Sequence, residues 1–346
     1  MTKKFLGLLI SIPVVFFLFV GQAEAVSFSV DWGATGTDGS AIEALYGTGT
    51  RPSTVYNSDL SGTNTIGASG DDIGADATPF DDGHNVDAIH FGPGIDPALV
   101  GYYYFSLDWG AGYGTGPYPS GSGTEAAQGT GTAPSNVYLS TGNGTNENPY
   151  PFSGPDMGIK PFTGSNLDAF DLHDFTSPDS YPLYFSLDLY GLDGIDYDDD
   201  GTDDITVGGA DILVSYGNGM FSTAVTAAQL GLEEYDNLDA LTRLSDESWL
   251  FSVDWGSQGF EGTAVYGAAG TGRRPANIYR SFGDGTNYLW LSSEALGLPS
   301  GHDANWYGPN LDALDVAAIP EPASLSLLGL GLLGLLGIGR KKVAKT

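Results

Sequence analysis

The sequence contains no cysteine, only four histidines and three methionines, and 12 basic residues against 43 acids in 346. The absence of cysteine excludes disulfides, thiolate metal sites and cysteine nucleophiles. The shortage of basic charge leaves a formal net charge of −31. Such a field repels nucleic acid and anionic lipid surfaces and attracts cations, divalent ones most. His84, His90, His173 and His302 form no H-E-x-x-H pair, and no G-x-S-x-G elbow or phosphate-binding loop occurs. No catalytic motif is present, and the chain is not expected to be an enzyme. Helix signals are few. Ala224 to Leu232 is the best stretch, good for one or two turns.

Long apolar runs are confined to the two ends. Lys3 and Lys4 precede the run from Phe5 to Val20, and Ala23-Glu24-Ala25 follows. This order predicts a secretory signal peptide over residues 1–25, cleaved after Ala25; an uncleaved membrane anchor is the alternative. With two lysines in that leader and four basic residues in the tail, the body from Val26 to Ile319 holds six basic residues against 41 acids. A chain of this length needs no disulfides to build a core. An aromatic content of 12% argues against a disordered acidic segment.

The body repeats itself four times. Phe-Ser-(Val/Leu)-Asp occurs at Phe28–Asp31, Phe105–Asp108, Phe185–Asp188 and Phe251–Asp254. Asn-(Val/Leu)-Asp-Ala begins at Asn85, Asn166, Asn237 and Asn310. Between them lie a (V/I)Y segment, drifted in repeat three, and a Leu-Gly-Leu-like element, as at Leu230–Leu232 and Leu296–Leu298. Alternating large and small residues bounded by Gly, Pro, Asn and Asp read as short half-buried strands. "GNG" and "GDG" supply the positive φ of hairpin turns.

About four strands per unit predict an all-β fold, with approximate repeats 26–98, 99–179, 180–246 and 247–319. Tandem four-stranded units read as a four-bladed β-propeller. The final Asn-Leu-Asp-Ala strand would then close against the first Phe-Ser-Val-Asp strand. An open array of β-modules is the alternative.

The sharpest local motif is "DYDDDGTDD" in repeat three. Asp196, Asp198, Asp200, Thr202 and Asp204 stand at positions 1, 3, 5, 7 and 9 of a calcium loop, with Gly201 at the sharp turn. Position 12 is Val207, so a later aspartate, Asp211 or Asp193, would have to complete the shell. The start resembles the calcium loops of dockerin and thrombospondin type 3 repeats. Calcium is therefore the expected cofactor.

The repeated aspartates admit two readings. Asp31, Asp108, Asp188 and Asp254, with Asp87, Asp168, Asp239 and Asp312, would end strands in Asx-turns, the reading local chemistry favours. Alternatively they line a central channel. Trp32, Trp109, Trp255, Trp290, Trp306 and Tyr102 to Tyr104 suit either sugar stacking or blade core.

The chain ends in Pro320-Glu321-Pro322, a short Leu/Gly-rich apolar run, and Arg340-Lys341-Lys342. Residues 320–346 thereby resemble the PEP-CTERM sorting signal of Gram-negative bacteria. The resemblance implies a short C-terminal transmembrane helix and transient anchoring in the inner membrane. It also implies recognition of Pro-Glu-Pro by exosortase, and delivery to the outer surface or extracellular matrix, often alongside exopolysaccharide. The expected role is structural, adhesive or glycan-binding, with polysaccharide or surface proteins as partners. An extracellular carbohydrate-active enzyme, a glycoside hydrolase or lyase, is the alternative.

Overall fold

The computed structural model describes residues 24–31, 34–45, 50–75, 85–91, 102–108, 133–147, 152–159, 166–172, 182–188, 207–271, 274–299 and 309–318. The chain divides into a body, Ala25–Ala317, and a second unit made of the two ends. Nearly all of the second unit lies outside the described residues, and with it the expected leader, sorting motif and C-terminal helix. Among the described residues, no helix is long and apolar enough to cross a membrane.

The body is all-β and forms a four-bladed propeller of four four-stranded antiparallel sheets. From the axis outward, blade one is β16 (Ala313–Ala318), β1 (Glu24–Ser29), β2 (Val55–Ser58) and β3 (Asn64–Ala68). Blade two is β4 (Ala88–Phe91), β5 (Tyr103–Ser106), β6 (Tyr138–Ser140) and β7 (Asn146–Glu147). Blade three is β8 (Leu167–Leu172), β9 (Leu183–Leu187), β10 (Ile212–Ser215) and β11 (Phe221–Val225). Blade four is β12 (Leu238–Arg243), β13 (Trp249–Val253), β14 (Ile278–Ser281) and β15 (Tyr288–Leu291). Each sequence repeat thus gives three strands to one blade and the innermost strand to the next.

The last strand closes the ring on the first. The Asp31 amide donates to the Asn310 carbonyl at 3.2 Å, and the Asp312 amide donates to the Ser29 carbonyl at 3.3 Å. Four apolar cores fill the four boundaries between blades. One joins Val26, Phe28 and Tyr56 of blade one to Leu250, Ile278 and Leu296 of blade four. The other three join blades one and two, two and three, and three and four. An open array would lack the core between blades four and one.

Both faces of the middle strands are buried. Phe28, Phe105, Phe185 and Phe251 are wholly enclosed, each worth about 3 kcal/mol of apolar burial. Three of them tilt against a tyrosine of the (V/I)Y strand, at 5.7–5.9 Å between ring centroids. The signature serines, expected on a half-exposed face, are equally buried. Ser106 and Ser252 donate at 3.0 and 2.8 Å to the Leu167 and Leu311 carbonyls of the next blade, and Ser29 and Ser186 make the same reach. A small hydroxyl satisfies a carbonyl there that would otherwise be buried without a donor.

The Leu-Gly-Leu-like elements end one-turn helices rather than strands. Ser69, Ser153 and Thr226 cap Gly70–Ile73, Gly154–Met157 and Ala227–Leu230, and each helix stops at a left-handed glycine. Asn146 and Asn287, which begin or precede the outer strands, donate to the carbonyls closing the preceding blade's helix.

Candidate functional site

The site lies on the propeller axis and is built from the start of the four innermost strands. In β8 and β12 the pairing slips at Leu167/Ala169 and Leu238/Ala240. Asp168 and Asp239 are therefore the extra residues of β-bulges. A bulge re-aims its side chain. It lets Asp168 and Asp171, three apart and so on opposite faces of a regular strand, both meet neighbouring inner strands.

Two tiers result. In the first, Asn85 donates to Asp312 at 2.8 Å, Asn166 to Asp87 at 2.8 Å and Asn237 to Asp168 at 2.5 Å. Asn310 completes the circuit at Asp239. Asn85, Asn237 and Asn310 each reach the aspartate two residues on as well, at 3.1, 3.4 and 3.0 Å. The Asn-x-Asp signature is thus an unbroken ring of amide–carboxylate bonds passing through all four blades. Asp87, Asp239 and Asp312 are buried and Asp168 is half-buried. Burial, followed by repulsion from neighbouring carboxylates, pushes all four well above the usual carboxylate range, and the asparagine donors only partly oppose it. The aspartates of the other signature stand beside them: Asp31 repels Asp312, Asp108 repels Asp87, Asp188 repels Asp168, and Asp254 repels Asp239.

For Asp87, Asp168, Asp239 and Asp312 this corrects the Asx-turn expectation, whereas the Asp254 carboxylate does accept the Trp255 amide. The aspartates converge on the axis, and it is the outer hairpins that carry the Asx-turns, as where Asp284 accepts from the Thr286 amide at 3.0 Å.

The second tier was not found in the sequence. His90, Asp171, Thr242 and Asp315 each stand five residues after the asparagine of the signature. His90 Nδ1 lies 3.4 Å from Asp171 Oδ1 and 3.6 Å from Asp315 Oδ1. Thr242 donates to Asp171 Oδ1 at 3.1 Å, and the Phe91 amide donates to Asp315 Oδ2 at 3.3 Å. The His90 side chain is 13% exposed, that of Asp171 3% and that of Asp315 8%. Burial disfavours a charged imidazole, but the carboxylates of Asp171 and Asp315 outweigh it and raise the His90 pKa. Burial pushes Asp315 up to about 6, against the pull of His90. The position escaped notice because its residue type is not constant: His, Asp, Thr and Asp in successive repeats. A search for one residue type common to all four repeats cannot find such a site.

The remaining expected sites fall elsewhere. Asp196, Asp198, Asp200, Thr202 and Asp204 lie outside the described residues, as do Pro320, Glu321, Pro322, Arg340, Lys341 and Lys342. Trp32, Trp109 and Trp306 lie outside them too. Tyr104 lies in the core between blades two and three, and Trp290 packs, half-buried, against the separate core between blades four and one. Among the described residues, the large exposed rings are Tyr216, Phe282 and Tyr288 on outer hairpins, with Tyr235 and Tyr266 in loops and caps.

Comparison with known proteins bears on the tail. Among curated proteins, none matches the sequence. Among solved structures, the extracellular domain of a hybrid two component system from B. thetaiotaomicron aligns with 76% of this chain at 8% identity, with a TM-score of 0.25. This chain spans 25% of that one, and so weak a likeness carries no argument. Residues 318–341 match the PEP-CTERM protein-sorting motif. That motif supports an exported, exosortase-sorted surface protein.

Proposed function

We propose that, once exosortase has acted at Pro320-Glu321-Pro322, the propeller stands at the outer surface or in the extracellular matrix as an adhesive module for polysaccharide. The observation that carries this is a patch on blade four. Phe282 is 54% exposed and Tyr288 53%. Arg280, paired across the strands with Tyr288, stacks on Phe282 at 4.9 Å. Blade three repeats the theme with Tyr216 beside the corresponding turn. Exposed rings next to a polar rim suit the apolar faces of sugar rings. The strong negative charge of the chain favours neutral polysaccharide, or an anionic one bridged by cations.

Calcium at Asp196, Asp198, Asp200, Thr202 and Asp204 would support blade three and supply such bridges. The role is binding without turnover.

The test is retention of the purified chain on a panel of immobilised bacterial polysaccharides, with and without calcium. Phe282→Ala with Tyr288→Ala should weaken retention about tenfold while leaving thermal unfolding unchanged. Equal retention would reject the patch. Depolymerisation of the polysaccharide, abolished by one carboxylate substitution, would replace adhesion with the enzyme reading. Sorting is tested separately. Pro320→Ala with Glu321→Ala should leave the tail uncleaved and the chain in the inner membrane.

A further inference from the structure

Three groups on three different strands meet on the axis at one level, and their separations are informative. His90 Nδ1 is 3.4 and 3.6 Å from one oxygen each of Asp171 and Asp315. These distances exceed those of direct N–H···O hydrogen bonds, about 2.7–3.2 Å. They match the edges of a coordination tetrahedron, because ligands bound at about 2.0–2.1 Å stand about 3.4 Å apart. The three ligand atoms all lie within 4.8 Å of one another.

A second observation is independent of that spacing. Asp171 Oδ2 is buried and has no hydrogen-bond partner. Asp171 as a residue is 2% exposed. A buried carboxylate oxygen without a donor is costly to maintain, and a cation removes that cost.

We propose that His90, Asp171 and Asp315 bind a divalent transition-metal ion on the propeller axis. Thr242 acts as a positioning residue. Its hydroxyl, 3.1 Å from Asp171 Oδ1, orients a ligand from outside the coordination shell, as partners of metal ligands commonly do. One imidazole nitrogen with two carboxylates suits zinc, manganese or iron(II) better than calcium or magnesium, which prefer oxygen alone. The site's residues and its nitrogen-containing ligand set differ from those of the calcium loop expected at Asp196, Asp198, Asp200, Thr202 and Asp204.

Its placement gives it a structural consequence. Asp315 is on β16, His90 on β4 and Asp171 on β8. The ion therefore ties the closing strand of blade one to the inner strands of blades two and three. No fragment lacking any one of these strands can form the site.

The experiment uses zinc and cobalt(II) as probes on the full chain, stripped beforehand with EDTA. Isothermal titration should show one tight zinc per chain, retained through desalting, above the weak binding expected of so acidic a protein. His90→Ala and Asp315→Asn should each weaken that site about a hundredfold, while Asp198→Ala leaves it unchanged. Cobalt(II) should develop the intense visible bands of a low-coordinate nitrogen–oxygen site in the wild type. An unchanged zinc isotherm in His90→Ala, or a cobalt spectrum like that of the aqueous ion, would overturn the proposal and leave the cluster an imidazolium held by two carboxylates. If a variant fails to fold, the wild-type cobalt spectrum alone decides.

Discussion

Asn166 donates through Nδ2 to Asp87 Oδ2 at 2.8 Å, across the boundary between blades three and two. The same contact recurs where Asn85 of blade two meets Asp312, which leads into β16, the closing strand of blade one. A bond that repeats at the closing strand marks that boundary as equivalent to the one between blades three and two. The signature asparagine exists because each blade offers its neighbour a carboxylate too buried to be satisfied by water.

Removing one donor should therefore be costly, and removing both partners much less so. Asn166→Ala leaves Asp87 with Asn85 as its remaining asparagine donor and should destabilise the propeller by about 2 kcal/mol. Adding Asp87→Ala should recover much of that loss, because the stranded carboxylate goes too. Urea denaturation of the two single variants and the double variant measures the coupling. Additive losses would contradict the direct bond.

The ring also sets an unusual pH dependence. Asp87, Asp168, Asp239 and Asp312 have folded-state pKa values raised well above 3.8. The folded state thus holds protons that the unfolded state has released. Where that is so, stability falls as pH rises. In EDTA-treated protein, stability should increase on acidification from pH 7 toward pH 5. The trend should reverse only near and below the ordinary carboxylate range. There the exposed hydrogen-bonded acids with lowered pKa, Asp59, Asp72 and Asp284, lose their contribution. Asp87→Asn should flatten the upper slope. Chemical denaturation at several pH values measures it, and a wild type most stable at pH 7 would be incompatible with buried ring carboxylates.

The repeat order, the all-β class and the closing strand were legible because they follow from periodicity and from which signature comes first and last. Three features were not. Ser29, Ser106, Ser186 and Ser252 look like the wet face of a strand, since alternation cannot distinguish water from a second packed blade. The bulges at Asp168 and Asp239 break the two-residue period that strand reading assumes, so the aspartates passed for turn residues. His90, Asp171, Thr242 and Asp315 share a place but not one residue type, and only the axis brings them together.

Glycines on the rim offer a contrast between backbone strain and blade contact. Gly297 and Gly283 have nearly equal left-handed φ values, 77° and 73°. Alanine should cost each about 1 kcal/mol on that account. A Cβ at Gly297 would stand 2.7 Å from Asn64 Nδ2 and 2.9 Å from the Gly62 carbonyl oxygen in blade one, whereas at Gly283 it meets nothing within 4 Å. Gly297→Ala should therefore lose a further 1–3 kcal/mol, roughly the cost of overpacking. Thermal melts of the two variants compare them. Equal losses would mean that the contact between blades four and one is looser than described.

Closure also makes a prediction about cooperativity. Leu314 on β16 is 1% exposed and belongs to the core between blades four and one, while its neighbour Ala313 belongs to the core between blades one and two. Leu314→Ala should cost about 2–5 kcal/mol, as deletion of a buried leucine commonly does. In a closed ring each blade is held on both sides, so loosening one seam weakens all four boundaries. Calorimetry should show a single transition moved to lower temperature, and limited proteolysis should release no stable fragment. In an open row of modules, the same substitution would split off a low-temperature transition and leave the distant blades, two and three, melting where they did before. That second pattern would overturn the ring, and with it any site that depends on four strands meeting at one axis.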